Sequence, residues 1–331
     1  MGPAVARLRS LERLAELGAL DQPVRRRRML VIVNPSASMM DARLRNLVVA
    51  ALHGRYEVEA IDTQARGHAT DLCREAAHEG YDVVASFGGD GTVNEVANGL
   101  AGSPTPLTCL PGGATNALCK MLGIPGDVID ATQHLLAMAD DWRPRRIDLG
   151  VANGRSFTYS SGFGVDASVS KRIDRSPQLK QHRMRELFFV YAAVETVLRE
   201  YVRNPPRMQV HAGGEVDGAI SAVVQNGEAF TFLDDKPIHL APGSALDSGA
   251  LAGVALRGVR PRDIGPIALR LLSSKRSLDG HPQIRAFRDV QSVRCVSTDG
   301  RAIPLHVDGD HIGDVTEVLF GVSPGALGVV S

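Results

Sequence analysis

A chain of 331 residues with 37 Lys and Arg against 37 Asp and Glu has no formal net charge, so no global field recruits nucleic acid or an acidic partner. Hydrophobic residues at 44% and charged residues at 22% form an ordinary soluble globular composition, and the length predicts two domains. The four cysteines, Cys73, Cys109, Cys119 and Cys295, lack C-x-x-C spacing and an accompanying His cluster, which argues against a zinc site or disulfide framework and for a reducing cytosol.

Residues 5–20 place Leu8, Leu11 and Ala15 on one stripe of a short amphipathic helix. Their interspersed charges leave no apolar core for a signal peptide. The run of arginines at 25–28 reads as a solvated linker or as a weak anchor to anionic lipid, and closes an N-terminal extension, 1–28. From 29 to 145 strands and helices alternate. "MLVIVN" (29–34), "YEVEAIDT" (56–63), "YDVVASFGG" (81–89) and "TPLTCLPGG" (105–113) read as strands. Helices are expected over 41–54, 67–80, 92–100 and 114–123. That order predicts a doubly wound parallel sheet, whose ligands bind at the carboxyl ends of the strands.

From 146 to 314 short β-type runs separated by Gly, Asp and Asn turns predict an antiparallel β domain with few helices, one near 184–200 and one near 261–275. "ELFFVYAAVETVL" (186–198) is interrupted by Glu195 and is too short to span a bilayer. A lipid-directed activity would therefore work from the membrane surface. Phe188, Phe189 and Tyr191 read as helix core or as a groove for a lipid tail. The Lys- and Arg-rich run 171–185 reads as a solvated face or a holder of anionic headgroups. His68, His306 and His311 are scattered, without ligand spacing, and read as polar histidines satisfied by hydrogen bonds.

Three glycine- or proline-marked loops follow strands: Asn34-Pro35, Gly88-Gly89-Asp90-Gly91-Thr92, and Pro111-Gly112-Gly113-Ala114-Thr115-Asn116. Such loops bring backbone N–H groups close to phosphate at helix N-termini. Thr92 and Glu95 also fit a capping box, which would make the second loop simple helix punctuation. G-x-x-x-x-G-K-[ST], G-x-G-x-x-G and the protein-kinase motifs are absent. Asp90 is a negative charge among phosphate-binding glycines. A magnesium ion shared with a nucleotide would offset it.

"GGDGTVNEVANGL" followed by "LPGGATNALCKMLGIP" resembles the diacylglycerol kinase catalytic-domain family, which includes bacterial soluble lipid kinases and sphingosine and ceramide kinases. "VIVNPSAS", "TQARGHATDLCREA", "SSGFGVDASV", "HLAPGSALDSGAL", "IPLHVDGD" and "PGALGVV" resemble further family segments in the same order, over roughly 29–330. The resemblance implies an ATP-binding α/β domain over 29–145, completed by a return of 315–331, and a sandwich-like lipid-substrate domain over 146–314. It implies transfer of the γ-phosphate of Mg-ATP to the hydroxyl of a membrane lipid, most readily diacylglycerol to give phosphatidic acid. The setting would be cytoplasmic, with transient contact to an anionic membrane surface, no nucleic acid, and a homodimer of the kind common in the family.

Residue by residue, the resemblance assigns Asn34, Pro35, Gly88, Gly89, Gly91, Thr92 and Glu95 to the nucleotide and its phosphates. It assigns Thr63, Gly67 and His68 to the adenosine side, and Gly113 and Asn116 to the rest of the pocket. Asp90, Asp310 and Asp247 would serve magnesium, and Asp308 would be the general base. The chain departs from the family pattern at Ala37-Ser38, Ala114, Ala117, Ser248 and Asp310. NAD-kinase-like phosphorylation of a soluble acceptor, and ATP binding by a degenerate regulator without turnover, are the alternative readings.

Overall fold

The computed structural model describes residues 26–174, 195–233, 235–241, 243–271 and 278–331. The expected helix over 5–20, Phe188, Phe189, Tyr191 and most of the basic run 171–185 lie outside them. The chain forms two compact units. One runs up to Ile147 and includes Ala326–Ser331; the other is Asp148–Gly325.

The first unit alternates β1 (Arg27–Val33), α1 (Ala42–His53), β2 (Tyr56–Asp62), α2 (His68–His78), β3 (Val83–Gly88), α3 (Asp90–Leu100) and β4 (Leu107–Pro111), then α4 (Ala117–Met121) and α5 (Val128–Ala137). Its sheet order is β2-β1-β3-β4 and all pairs are parallel. Val329, near the end of the chain, adds a parallel pairing to Leu107. Every residue of β3 and β4 is buried, Ser86 and Thr108 included, as their otherwise apolar runs require when helices cover both faces. Helix starts follow local chemistry. The Asp41 carboxylate accepts from Leu44 N at 2.8 Å, and Asp127 caps α5 through Ile129 N and Asp130 N. Helix α5 is an element the sequence reading left unassigned.

The arginine run is part of this frame. Arg26 donates to the His53 carbonyl, and Arg28 donates to the Glu79 carbonyl while stacking 4.3 Å above the Tyr81 ring. Arg27 lies 4.7 Å above Trp142. These guanidinium groups stitch the start of β1 to the loops around it, which displaces the lipid-anchor reading for Arg26–Arg28.

The second unit contains β5 (Arg145–Ala152), which begins in the first unit, β6 (Arg155–Phe157), β7 (Ser160–Phe163), α6 (Val165–Asp174), β8 (Met208–Ala212), β9 (Glu215–Ala219), β10 (Ser221–Gln225), β11 (Thr231–Leu233), β12 (Lys236–Ile238), β13 (Leu251–Leu256), α7 (Pro261–Leu271), β14 (Ile284–Val290), β15 (Ser292–Ser297), β16 (Ile303–Val307), β17 (Asp310–Val315) and β18 (Glu317–Val329), the last running on into the first unit. One antiparallel sheet has six strands, β14-β13-β10-β7-β16-β17. The other runs β18-β15-β8-β9, with β5 paired to β18 and β6. Their inner faces share one core containing Phe157, Phe163, Val224, Leu305, Val293, Cys295 and Phe320, the arrangement of a β-sandwich. The architecture is thus mixed: a parallel-sheet α/β unit and an antiparallel β unit, as the sequence pattern predicts.

One correction concerns "VDASV", which reads as the end of a β-type run but opens α6. Gly164 at φ +121 turns the chain out of β7, and the Ser221 hydroxyl accepts from Val165 N to start the helix. Local valines are overridden by that turn and by packing. Helix α7 is described from Pro261 to Leu271, and the last residues of the helix expected near 261–275 lie outside the described residues. Among the described residues no helix is long and apolar enough to cross a membrane.

Candidate functional site

In the first unit the three loops come together at the carboxyl ends of β1, β3 and β4. Gly112 N donates to Gly88 O at 2.9 Å, and Met39 N donates to Gly112 O at 3.1 Å. The second and third loops touch backbone to backbone. A Cβ on Gly113 would stand 2.6 Å from the Gly89 Cα, and one on Gly88 would stand 2.5 Å from the Thr92 hydroxyl. Glycine is required here for close approach, and the loops present amides rather than side chains. Asn34 ties the first loop in: its side-chain amide donates to the Thr92 hydroxyl at 3.0 Å, and its carbonyl oxygen accepts from Ser36 N at 3.0 Å. Thr63 N donates to Val33 O at 2.8 Å, which sets the start of the loop leading to α2 beside β1.

Asp90 has partners within the protein. Its two oxygens accept from Asn116 N at 3.1 Å and Ala117 N at 2.6 Å, at the start of α4. Asn116 adopts φ +49, and its side chain spans Gly113 N and Gly113 O. The charge on Asp90 is therefore offset by backbone amides and by its place in the first turn of α3, where a helix favours negative charge. Magnesium is not needed to explain a carboxylate at this position.

The capping-box expectation is overturned. Helix α3 starts at Asp90 with Gly89 as its cap, so Thr92 already lies inside it. Glu95 reaches across to α2 instead. Its carboxylate accepts from Gly67 N at 2.8 Å and Ala69 N at 3.3 Å. Gly67 has no side chain with which to cap α2, and Glu95 supplies the acceptor from the neighbouring helix. The His68 ring accepts from Gln64 N at 3.1 Å. Glu95→Ala is expected to cost about 1–2 kcal/mol in urea unfolding, the size of a lost cap, with Glu95→Gln intermediate. An unchanged midpoint in Glu95→Ala would remove this role.

In the second unit Asp308 is 3% exposed and sits at φ +47 in the turn between β16 and β17. One oxygen accepts from Thr158 N at 2.7 Å and the Thr158 hydroxyl at 3.0 Å. The other accepts from Tyr159 N at 3.0 Å and Ser160 N at 3.2 Å. Two positions missed in the sequence extend this network. Asn226 donates to the Thr158 and Asp148 carbonyls, at 3.0 and 2.9 Å. Asp148, 3% exposed, accepts from Gly249 N at 2.6 Å and Gly325 N at 2.7 Å. An aspartate inside the apolar run "RRIDLGVA" was the available signal, because a buried carboxylate needs donors. "QNG" reads as a mere turn and hid Asn226.

His306 is not an isolated polar residue. Its Nδ1 accepts from Gly309 N at 3.2 Å, which leaves Nε2–H to donate to Asp166 at 2.7 Å. The imidazole thus links the Asp308 turn to the start of α6. His311 pairs with Asp314, which also meets Lys171. Arg172 pairs with Glu195 at 2.6 Å. Lys171 and Arg172, at the head of the expected headgroup-binding run, are therefore already engaged.

Of the remaining expected metal residues, Asp247 is exposed and Asp310 is half-buried. Among the described residues no group of three or more His, Cys, Asp or Glu is placed to hold a metal ion. The donors do not form a cage for a resident ion. A carboxylate beside a cluster of backbone amides would suit Mg²⁺ brought in with a nucleotide, because Mg²⁺ keeps several waters and takes one or two carboxylates with phosphate oxygens.

The four cysteines are free and buried. Burial pushes the Cys73 and Cys295 thiols up to about 12, with Glu95 adding to the effect at Cys73. The thiolate is the reactive form, so the folded protein is expected to consume almost no thiol reagent at pH 8 and to release all four thiols in guanidinium. Rapid native-state labelling of Cys73 or Cys295 would overturn that.

Residues 28–151 match the family model described as the diacylglycerol kinase catalytic domain. A diacylglycerol kinase of Staphylococcus aureus (strain JH9) is 26% identical over 299 residues, covering 87% of each chain. Two solved chains from Bacillus anthracis str. Sterne share the fold. One has a TM-score of 0.73 at 23% identity, covering 94% of this chain and 97% of its own. The other, described as a diacylglycerol kinase, has a TM-score of 0.68 at 20% identity, covering 93% and 98%. The motif order, the glycine-packed loops and these likenesses agree: residues 28–151 are similar to the catalytic domain of diacylglycerol kinases, which are lipid kinases.

Proposed function

We propose that this chain transfers the γ-phosphate of ATP to the hydroxyl of a membrane lipid of the diacylglycerol class, giving phosphatidic acid and ADP. The observation that carries the reading is the meeting of Asn34, Gly88–Thr92 and Gly113–Asn116 in one amide-rich surface, in the segment that matches the family. Gly88, Gly89, Gly91, Thr92 and Gly113 cradle the phosphates, and Asn34 and Asn116 hold the loops in place. Thr63, Gly67 and His68 border the adenosine. Mg²⁺, when bound with the nucleotide, neutralises phosphate charge, and Asp90 would serve it, with Asp310 and Asp247 as further candidates.

The lipid hydroxyl oxygen forms a bond to the γ-phosphorus as the bond to the ADP oxygen breaks, and the hydroxyl proton passes to Asp308. The four lone-pair positions of Asp308 are occupied. Of these four donors only the Thr158 hydroxyl rotates freely, so the lipid hydroxyl takes its place. The same saturation favours a second reading, ATP binding without turnover. The protein is proposed to act in the cytoplasm, with transient contact to an anionic membrane.

Labelled ATP supplied with mixed micelles of diacylglycerol, sphingosine or ceramide, and separately with NAD, tests the reading. Label in phosphatidic acid is expected. Label in NAD alone would replace the lipid by a soluble acceptor. ATP binding with no transfer to any acceptor would leave the second reading.

A further inference from the structure

We infer that α7 and the arginines around its start form the surface by which this protein docks on an anionic bilayer. The stretch is locally positive in a neutral chain: residues 257–271 hold Arg257, Arg260, Arg262 and Arg270 against Asp263 alone, four minus one giving a net +3. Helix α7 packs half-buried Ile267 and Leu271 against the outer face of the six-stranded sheet. Its opposite side exposes Pro261, Arg262, Gly265, Pro266, Ala268 and Leu269, with Leu269 57% exposed. A helix with one apolar side packed and another apolar side in water, edged by arginine, has the composition of an interfacial helix.

The helix adjoins a cavity of about 660 Å³ lined by Arg207, Arg257 and Arg260. Arg257 is paired with Asp217. Asp263 accepts from the backbone N of Arg260 rather than from its guanidinium. Among the described residues Arg207, Arg260 and Arg262 make no ion pair. Two uncommitted guanidinium groups at the start of a helix that exposes leucine and proline, with Arg207 lining the adjoining cavity, fit a phospholipid surface, where headgroup phosphate meets the arginines and the interface takes the apolar face. A nucleic acid would use the charge and leave Leu269 in water. The cations nearer the chain start and on α6 do not compete for this role: Arg26–Arg28, Lys171 and Arg172 are held by carbonyls, rings and carboxylates.

The inference rests on the proposed lipid-kinase reading for its purpose, but its test does not depend on turnover. Cosedimentation of the full chain with phosphatidylcholine vesicles, with and without phosphatidylglycerol, is compared for the unmodified protein, Arg260→Ala/Arg262→Ala and Leu269→Gln. Thermal midpoints serve as the folding control. Binding is expected only to the anionic vesicles. The arginine pair should lower the partition constant about 25-fold, at about fivefold per cation. Leu269→Gln should lower it about fivefold, for roughly half a leucine's transfer free energy.

Equal binding to neutral vesicles, or unchanged binding by folded arginine variants, overturns the inference. So does a duplex oligonucleotide that binds through the arginines while Leu269→Gln has no effect on vesicles. Transfer by the unmodified protein to a water-dispersed short-chain diacylglycerol is measured in parallel. Transfer without vesicle binding sinks the docking surface alone, and arginine-dependent vesicle binding without transfer sinks the kinase reading alone.

Discussion

Asp308→Asn is expected to lose phosphoryl transfer by about 10²–10⁴-fold, the usual contribution of a positioned base, and to destabilise the second unit. The substitution is unusually clean. Asp308 occupies φ +47, and asparagine tolerates that left-handed region about as well as aspartate. The backbone turn is therefore kept and only the carboxylate changes. One oxygen becomes an NH₂ facing either the Thr158 pair or the Tyr159 and Ser160 amides, all of which are donors. Leaving a buried donor unsatisfied costs about 1–3 kcal/mol. A loss of about 2–3 kcal/mol corresponds to a fall of roughly 5–10 °C in the midpoint for a unit of this size.

Activity measured well below the midpoint separates the two roles of Asp308. Lost transfer in a folded variant supports the base. Preserved transfer with a lowered midpoint would show that Asp308 only holds β7 to the turn. A variant that keeps both would remove the network as well as the base. Asp308→Ala should be worse in stability than Asp308→Asn, because alanine adds left-handed strain to the lost acceptors.

Much of the first unit was legible because its signals are local. Strands β1, β3 and β4 are mostly apolar, broken only by Ser86, Thr108 and the arginines that open β1, and a parallel sheet buried on both faces demands that pattern. The loops were legible because close backbone approach leaves glycine as the only choice, as at Gly113 against Gly89. What sequence did not give was partnership across the chain. Glu95 sits three residues after Thr92 and so mimics a cap for its own helix, yet its acceptors serve α2, 28 positions back at Gly67. Asp90 looked like a charge in need of a cation, whereas Asn116 and Ala117, 26 and 27 positions on, supply the amides.

The β unit was harder for the same reason. Asp148, Asn226 and Asp308 are joined through Thr158 by contacts spanning 68 to 150 residues. No spacing rule connects them. Only the buried carboxylate in "RRIDLGVA" hinted at such a network. Helix α6 was missed because valine-rich composition resembles a strand, while the turn at Gly164 and the Ser221 hydroxyl decide otherwise.

The partnership of Asp90 makes its substitution the most informative in the first unit. Asp90→Asn keeps a side chain of the same shape in the first turn of α3, but removes the charge and turns one acceptor into a donor facing Asn116 N or Ala117 N. The lost charge-assisted cap should cost about 1–2 kcal/mol in unfolding experiments. If Asp90 did no more than this, transfer corrected for folded protein would barely change, and so would its dependence on Mg²⁺ concentration. If it also serves the metal and phosphates, removing a preorganised charge partner should lower kcat about 10²–10³-fold and shift the Mg²⁺ requirement upward, while the KM for the lipid stays near its starting value. The amides that already hold the carboxylate favour the second outcome. A charge fixed by two N–H groups needs no reorganisation when the nucleotide arrives, which is the condition under which an electrostatic group contributes most to a transition state. An unaltered Mg²⁺ profile in folded Asp90→Asn would leave Asp90 as a helix cap and return the phosphate site to the glycine amides alone.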